Sequence, residues 1–384
     1  MTTLIEFPNA ANKNHYSQLL NLKFPKERYS SMRLAHIDSG LGNQMLDYAE
    51  YIAIAKSNPD APLILEDLLY DLPDDRPGMF SKWNGYELED IFHLQVPRLS
   101  KQLSPSQKET VLSYLEKSEF WKYGWDYAAP LCEGLHAIDF PIKNYNEGRA
   151  KTSAIGVNSN GSVPRQLLTD FFKTQPGYHL KRIIRHALSD RLIANENAKL
   201  DPFQKYPDNV LIGHSLAFCR KGFGIEKIDS DLRTAFRFSQ PTDSQNLHAM
   251  EEISSVNAVS IHARRSDMLF VNGYCYRYGF FKRAVHYIQE HTTDPVFYFF
   301  TDEKSVGWCQ QNPQVFGLDF SKDNIRFVNW NTGVNSYRDM QLMAACHHNI
   351  FTESSFGFWG AYLNEHPDKI TCAPDPTWNA TNDF

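Results

Sequence analysis

Two arginines and a histidine close an apolar run in Ser260-Ile261-His262-Ala263-Arg264-Arg265-Ser266-Asp267, a set of side chains suited to gripping a diphosphate. A guanidinium presents a planar fork of N–H donors that matches phosphate oxygens, and each charge-assisted hydrogen bond is worth roughly 1.5–3 kcal/mol. Val259, Ile261 and Ala263 alternate with more polar residues from Asn257 to Arg264, as a strand of period two requires. A strand running through this stretch sends His262 and Arg264 to one side, toward a ligand. Arg265 and Asp267 then leave on the other and neutralise each other, because a buried guanidinium without a partner is costly. The plainer alternative is a strand end carrying two solvated arginines. Asp302 ends a later apolar run: its carboxylate suits the N1 and N2 hydrogens of a guanine edge, or caps a helix from Glu303 onward. Ser354 and Ser355 begin a helix whose free N–H groups and hydroxyls receive a phosphate or a base carbonyl, or cap the helix alone.

These residues need strand ends to carry them, and the second half of the chain supplies such ends. Strand Asn257 to Arg264 leads to helix Tyr278 to Glu290, and strand Pro295 to Thr301 to helix Glu303 to Gln311. Strand Asn324 to Asn329 leads to helix Ser336 to Cys346, strand Asn349 to Thr352 to helix Ser355 to Asn364, and Lys369 to Ala373 is a last strand. Alternation of this kind predicts a parallel, doubly wound α/β sheet, whose ligands sit beyond the carboxyl ends of the strands. In the first half, strand Arg33 to Asp38 precedes Ser39-Gly40-Leu41-Gly42-Asn43-Gln44 and a helix marked by Met45, Tyr48, Ala49, Ile52 and Ala53. Gly40, Gly42, Asn43 and Gln44 thus stand at a glycine turn and helix start that suits an anion, or at a plain connection. Met45 occupies the third glycine position of G-x-G-x-x-G, which weakens a dinucleotide-cofactor reading. Pro62 to Glu66 reads as the next strand, and Tyr86 to Phe92 as a helix or turn. Residues 97–210 are helical and irregular, with Gln107 to Lys117 and Pro164 to Asn195 the clearer helices and Asn158 to Ser162 a loop. Val210 to Phe218 returns to the sheet, and Ser239 to Ser244, around Pro241, is the linker.

At 384 residues the chain exceeds one ordinary core, so two domains are expected, 1–240 with a helical insertion at about 97–210, and 241–384. Hydrophobic residues at 42% and charged residues at 22% exclude a disordered chain. The 26 Phe, 19 Tyr and 7 Trp supply core and also suit stacking on sugars or bases. A net charge of -6 with no block of like charge argues against nucleic acid as a partner. Cys132, Cys219, Cys275, Cys309, Cys346 and Cys372 form no C-x-x-C pair, which points away from a zinc ribbon or disulfide framework and toward a reducing compartment. Met1 to Tyr29 lacks an apolar segment after a basic start, and no window approaches the ~18 apolar residues of a membrane span. A cytoplasmic protein with no transmembrane segment, and at most peripheral membrane contact, is expected.

The chain resembles the α-1,2-fucosyltransferase family. The resemblance rests on Gly40-Leu41-Gly42-Asn43-Gln44-Met45, His262-Ala263-Arg264-Arg265-Ser266-Asp267, Phe299-Phe300-Thr301-Asp302 and Asp339-Met340-Gln341-Leu342-Met343. It continues through His348-Asn349-Ile350 to Ser354-Ser355-Phe356-Gly357-Phe358-Trp359-Gly360-Ala361-Tyr362-Leu363-Asn364. It covers about residues 33–95 and 225–375. It implies a GT-B architecture, two Rossmann-like domains facing each other across a cleft, with the first domain gripping the acceptor and the second the donor. It further implies GDP-β-L-fucose as donor, no required metal or other cofactor, and transfer with inversion to O2 of a β-galactoside. His262, Arg264, Asp302, Ser354, Ser355 and Phe356 fall where fucosyltransferases hold GDP, with Arg264 on the arginine that meets the β-phosphate. The one D-x-D tripeptide, Asp229-Ser230-Asp231, lies away from these strand ends. Ser39, Leu46-Asp47, Ser266, Met268, Glu353 and Gly357-Phe358 depart from the family pattern, which bears on the acceptor more than on the donor. Inverting transfer also needs an acceptor for the hydroxyl proton. Asp38 and His36, at the end of the first strand, are the candidates, with a turn-capping aspartate and a core histidine as the alternative. A different GDP-sugar or linkage, or a nucleotide-sugar binding module without catalysis, are the competing readings.

Overall fold

The computed structural model describes residues 31–73, 83–122, 125–145, 201–213, 224–265 and 269–374, with Phe218 and a few positions between 171 and 184. Most of the helix predicted at Pro164 to Asn195, the loop at Asn158 to Ser162, part of the Val210 to Phe218 run, and Ser266, Asp267 and Met268 lie outside the described residues.

In the first half, β1 (Arg33–His36), β2 (Leu63–Glu66), β3 (Lys143–Asn144) and β4 (Val210–Ile212) form a parallel sheet in the order β2-β1-β4-β3. Alternation sorts its side chains between two cores, as a sheet covered on both faces requires. Leu34, Ile64 and Leu211 enter one cluster with Val111 and Leu115 of helix α3 (Pro105–Ser118) and Leu131 and Leu135 of α4 (Ala128–Ala137). Ala35, Leu63, Leu65, Val210 and Ile212 enter the other, beneath α1 (Leu41–Ser57) and α2 (Leu88–Phe92). Helix α3 starts where a capping box forces it. Ser104 Oγ accepts from the Gln107 amide and Gln107 Oε1 accepts from the Ser104 amide, so two otherwise orphaned donors are satisfied. The 97–210 stretch, read as a helical insertion, also contributes β3, whose two residues carry no periodicity to read.

The second half follows α5 (Asp229–Ala235) and α6 (Ser244–Ser255) with β5 (Asn257–His262), β6 (Pro295–Phe300), β7 (Asn324–Val328), β8 (His348–Phe351) and β9 (Thr371–Cys372). The sheet is parallel, in the order β7-β6-β5-β8-β9. Along β6, Val296, Tyr298 and Phe300 face one core while Phe297 and Phe299 face another. Helices α7 (Leu269–Arg277), α8 (Phe280–His291), α9 (Glu303–Gln311), α10 (Tyr337–Ala345) and α11 (Ser355–Leu363) cover the two faces. The strand read as continuing to Arg264 ends at His262, and α7 is an element that periodicity does not announce. The boundary expected at residue 240 falls in the extended stretch between α5 and α6, where Ser239 O accepts from Arg338 and Gln341 of α10.

One apolar cluster runs through both halves. It contains Ala35, Met45 and Leu65 from the first sheet and its helix, Phe236 between them, and Tyr298, Phe300 and Trp359 from the second. Trp359, fully buried on α11, donates its indole N–H to the Gly42 carbonyl at 2.9 Å and packs 5.0 Å from the Phe236 ring. Two parallel sheets flanked by helices, joined along α1 and α11, are the α/β architecture of two Rossmann-like units that the sequence implied.

Candidate functional site

Three strand ends of the second sheet come together. At the end of β5, the His262 ring turns toward α11 and packs on Phe356 at 5.8 Å. It is 5% exposed, so burial, reinforced by the Arg264 charge and opposed by Asp302, pushes its pKa down to about 3. His262 is therefore neutral, and its buried Nδ1 has no protein partner. Arg265 leaves on the opposite face, where its guanidinium lies 3.3 Å over the Trp308 ring and 5.0 Å from Tyr276. An aromatic clamp thus receives Arg265; Asp267, its expected partner, lies outside the described residues. Arg264, half-buried, follows at the loop, its carbonyl accepting from Tyr276 Oη at 3.0 Å. Asp302 sits at the N-cap position of α9 with both carboxylate oxygens accepting from the Ser305 hydroxyl, at 2.8 and 2.9 Å, and not from a helix N–H. Ser354 caps α11, accepting from the Gly357 amide at 3.5 Å, and Ser355 donates its hydroxyl to Asn43 Oδ1 at 2.6 Å. Phe356, half-buried, is the ring against which His262 lies.

The Ser355–Asn43 bond brings the glycine turn of the first half to the same place. At Gly42 the close approach is steric: a β-carbon there would stand 2.5 Å from the Phe356 amide nitrogen and 2.8 Å from the Ser355 carbonyl carbon. Only glycine lets the two helix starts touch. The anion expected at the start of α1 is already provided by the chain, since Glu87 Oε2 accepts from the Leu41 amide at 3.1 Å. Burial raises the Glu87 pKa, while Asn84 and that amide oppose the rise. Gln44 is committed to the same loop. Its amide nitrogen donates to Ser39 O and Gly85 O, and its oxygen accepts from the Glu87 amide. Gly40 lies under Trp83, where a β-carbon would stand 3.2 Å from the indole Cδ1. Of the four turn residues read as an anion cradle, then, Gly42, Asn43 and Gln44 bind the protein to itself.

At the end of β1 lies a buried charge cluster. His36 Nδ1 donates to Glu66 Oε2 at 2.5 Å, and its Nε2 is 3.4 Å from Asp38 Oδ2. Burial opposes a charge on the imidazole, but hydrogen bonds to Asp38 and Glu66, and their charges, prevail and raise its pKa to about 10. Tyr127 donates to the second Glu66 oxygen at 2.9 Å and stacks 4.7 Å from the His36 ring. Ser39 donates to Asp38 Oδ1 at 2.7 Å. Asp47, on the first turns of α1, accepts from the Asp38 amide at 3.2 Å; burial, with the Asp38 and Glu50 charges, pushes its pKa well up. Glu66, Tyr127 and Asp47 are members that sequence reasoning missed. Glu66 ends a strand as His36 does, and parallel register pairs the two directly; that shared position was the available signal.

Asp229 and Asp231 of the D-x-D tripeptide are held by Arg233 and Tyr362, and by Lys56. Among the described residues, no group of three or more His, Cys, Asp or Glu side chains is arranged to hold a metal ion, and no helix is long and apolar enough to cross a membrane.

Residues 212–382 match the family described as Glycosyl transferase family 11. The chain is 32% identical over 141 residues to an alpha-1,2-colitosyltransferase of Escherichia coli, covering 34% of this chain and 46% of that protein. It is 30% identical over 110 residues to a galactoside alpha-(1,2)-fucosyltransferase 1 of Saimiri sciureus, covering 27% of this chain and 28% of the relative. The chain thus spans less than half the length of these relatives. Among solved structures it is similar to NodZ alpha-1,6-fucosyltransferase, at 14% identity, 87% of this chain, 92% of that one and a TM-score of 0.39. The stretch that carries β5 to β9, with Arg264, Asp302 and Ser354 at its strand ends, lies within the residues that match glycosyl transferase family 11.

Proposed function

We propose that the protein is an inverting glycosyltransferase that moves L-fucose from GDP-β-L-fucose to O2 of a terminal β-galactose on an oligosaccharide or polysaccharide precursor. The observation that carries this reading is the meeting of Arg264, Asp302 and the α11 start at one edge of a parallel sheet, inside the stretch that matches the family. In the reaction, the acceptor O2 attacks C1 of the sugar as the bond from C1 to the diphosphate oxygen breaks. GDP carries away the bonding pair. Arg264 and the N–H groups that open α11 stabilise that charge as it develops, as preorganised donors do. Asp302 and Ser354 to Phe356 hold the nucleotide, together with His262 as an uncharged wall, and the glycine turn at Gly42 and Asn43 braces the α11 start from the other half.

The proton of the acceptor hydroxyl goes to Asp38. His36 is the weaker candidate, because a pKa near 10 leaves its imidazole already protonated at neutral pH. In this arrangement His36 steadies the Asp38 carboxylate, and Glu66 and Tyr127 hold His36. No metal takes part, so transfer proceeds undiminished with EDTA present.

Incubating the purified protein with GDP-fucose and lactose, and reading the product linkage by NMR, tests the proposal; an α-1,2-linked fucose supports it, and a different linkage or no product ends it. The likeness to an alpha-1,2-colitosyltransferase favours one second reading, in which the donor is GDP-colitose. Running both donors side by side separates the two, and GDP binding without transfer of either sugar marks a non-catalytic module.

A further inference from the structure

Beyond β5 the ladder that fixes the chain runs out, yet each of the next three residues is tied down. The Ala263 N–H makes the last strand-like bond, to Phe300 O at 3.0 Å. The Ala263 carbonyl then accepts from the Thr301 hydroxyl at 2.9 Å, and the Arg264 carbonyl accepts from Tyr276 Oη at 3.0 Å. The Arg265 guanidinium lies over the Trp308 and Tyr276 rings. Three separate elements supply these anchors: the end of β6, helix α7 and helix α9. A carbonyl past a strand end can be satisfied by water, which would leave it free to swing. Here a wedged phenol does it instead. Tyr276 is 8% exposed, with its ring 5.1 Å from Phe281 and 5.7 Å from Trp308. Burial above all holds its pKa well over the ordinary value, so the hydroxyl remains a donor at neutral pH.

We propose that Tyr276 is a positioning residue for transfer: its hydroxyl, bonded to the Arg264 carbonyl, fixes the backbone from which the Arg264 guanidinium reaches the departing diphosphate. This deepens the reading above and rests on it. Arginine is a long lever, so a small swing at its main chain becomes a large one at the guanidinium, and a misplacement of about 1 Å costs up to ~10²-fold in rate. Trp308 backs the arrangement twice, since it packs against Tyr276 and also receives Arg265. The Thr301 bond completes it. Thr301 precedes Asp302, so the same contact holds the strand ends that carry Arg264 and Asp302 in register.

The test is a double-mutant comparison with Tyr276→Phe, which removes the hydroxyl and keeps the ring, made in the parent and in Arg264→Ala. In the parent, kcat for transfer to lactose is expected to fall about tenfold, with the lactose KM unchanged. GDP affinity should fall about tenfold too, while GMP, which lacks the outer phosphate, binds as before. In Arg264→Ala the same substitution should alter kcat by less than about twofold, because the group it positions is already gone. Trp308→Leu should reproduce this pattern in both backgrounds, with Trp308→Phe recovering most of the loss. A parent-like kcat in Tyr276→Phe overturns the proposal. So does an equal further loss in Arg264→Ala, or a fall in GMP affinity matching that of GDP, either of which marks a merely structural role. If Tyr276→Phe fails to fold, a parent-like kcat in Trp308→Leu overturns the proposal in its place. A parent protein that binds GDP and transfers nothing sinks the transferase reading, while the comparison of GDP with GMP still judges Tyr276.

Discussion

Gly42 and Phe356 meet backbone to backbone, with no room for a side chain between them: a β-carbon on Gly42 would lie 2.5 Å from the Phe356 nitrogen. Gly42→Ala must push the two helix starts apart, stretching the bonds from Trp359 to Gly42 O and from Ser355 to Asn43. A loss of about 1–3 kcal/mol is expected from overpacking of this kind, read by chemical denaturation, with activity falling alongside. Gly307→Ala is the control. It lies inside α9, where a β-carbon would meet nothing within 4 Å, so helix propensity should raise stability by roughly 0.5–1 kcal/mol.

Glu87 closes the start of α1 and pins the turn that carries Trp83. Glu87→Ala leaves the buried Leu41 N–H without its partner, for an expected loss of about 1–3 kcal/mol in denaturant unfolding. Glu87→Gln, which keeps an acceptor oxygen, should recover much of it. GDP affinity should change little in either, because this helix start serves the loop.

Arg264→Ala should fold normally, since the residue lies beyond β5 and is half-buried, and far-UV circular dichroism should match that of the parent. Transfer should fall on the order of a thousandfold, by loss of the donor facing the departing diphosphate. Activity within a few fold of the parent would remove Arg264 from the site.

His36 and His262 bound the stability profile from opposite sides. The His36 pKa is raised by its carboxylate partners from 6.5 to about 10, so its contribution is complete below pH 6.5 and is lost as pH climbs toward 10. The His262 pKa is lowered to about 3 by burial and Arg264, so the unfolded chain binds the extra proton and stability is lost as pH falls from 6.5 toward 3. Melting temperatures measured across pH should show the alkaline decline flattened in His36→Gln and the acid decline flattened in His262→Gln.

Much of this was legible in the residues, and what was not has identifiable causes. The run Val296-Phe297-Tyr298-Phe299-Phe300 fills two cores at once, so the strand shows in composition alone, and α9 begins where Asp302 interrupts it. β3 spans two residues, too short for any period. The partnership of Tyr127 with Glu66 joins positions 61 apart, and nothing local in either segment announces it. The contact of Arg265 with Trp308 joins two distant segments, and spacing along the chain does not announce that a weakly hydrated planar cation will lie over that ring.

The unbroken apolar cluster from Met45 through Phe236 to Trp359 makes the two halves interdependent. Expressed by itself, the family-matched stretch would bare the Trp359 face that α1 covers and would be prone to clump. Intact, the protein should melt in a single transition, and whatever motion admits substrate must arise in loops at the rim, because a hinge at the seam would have to tear its shared interior.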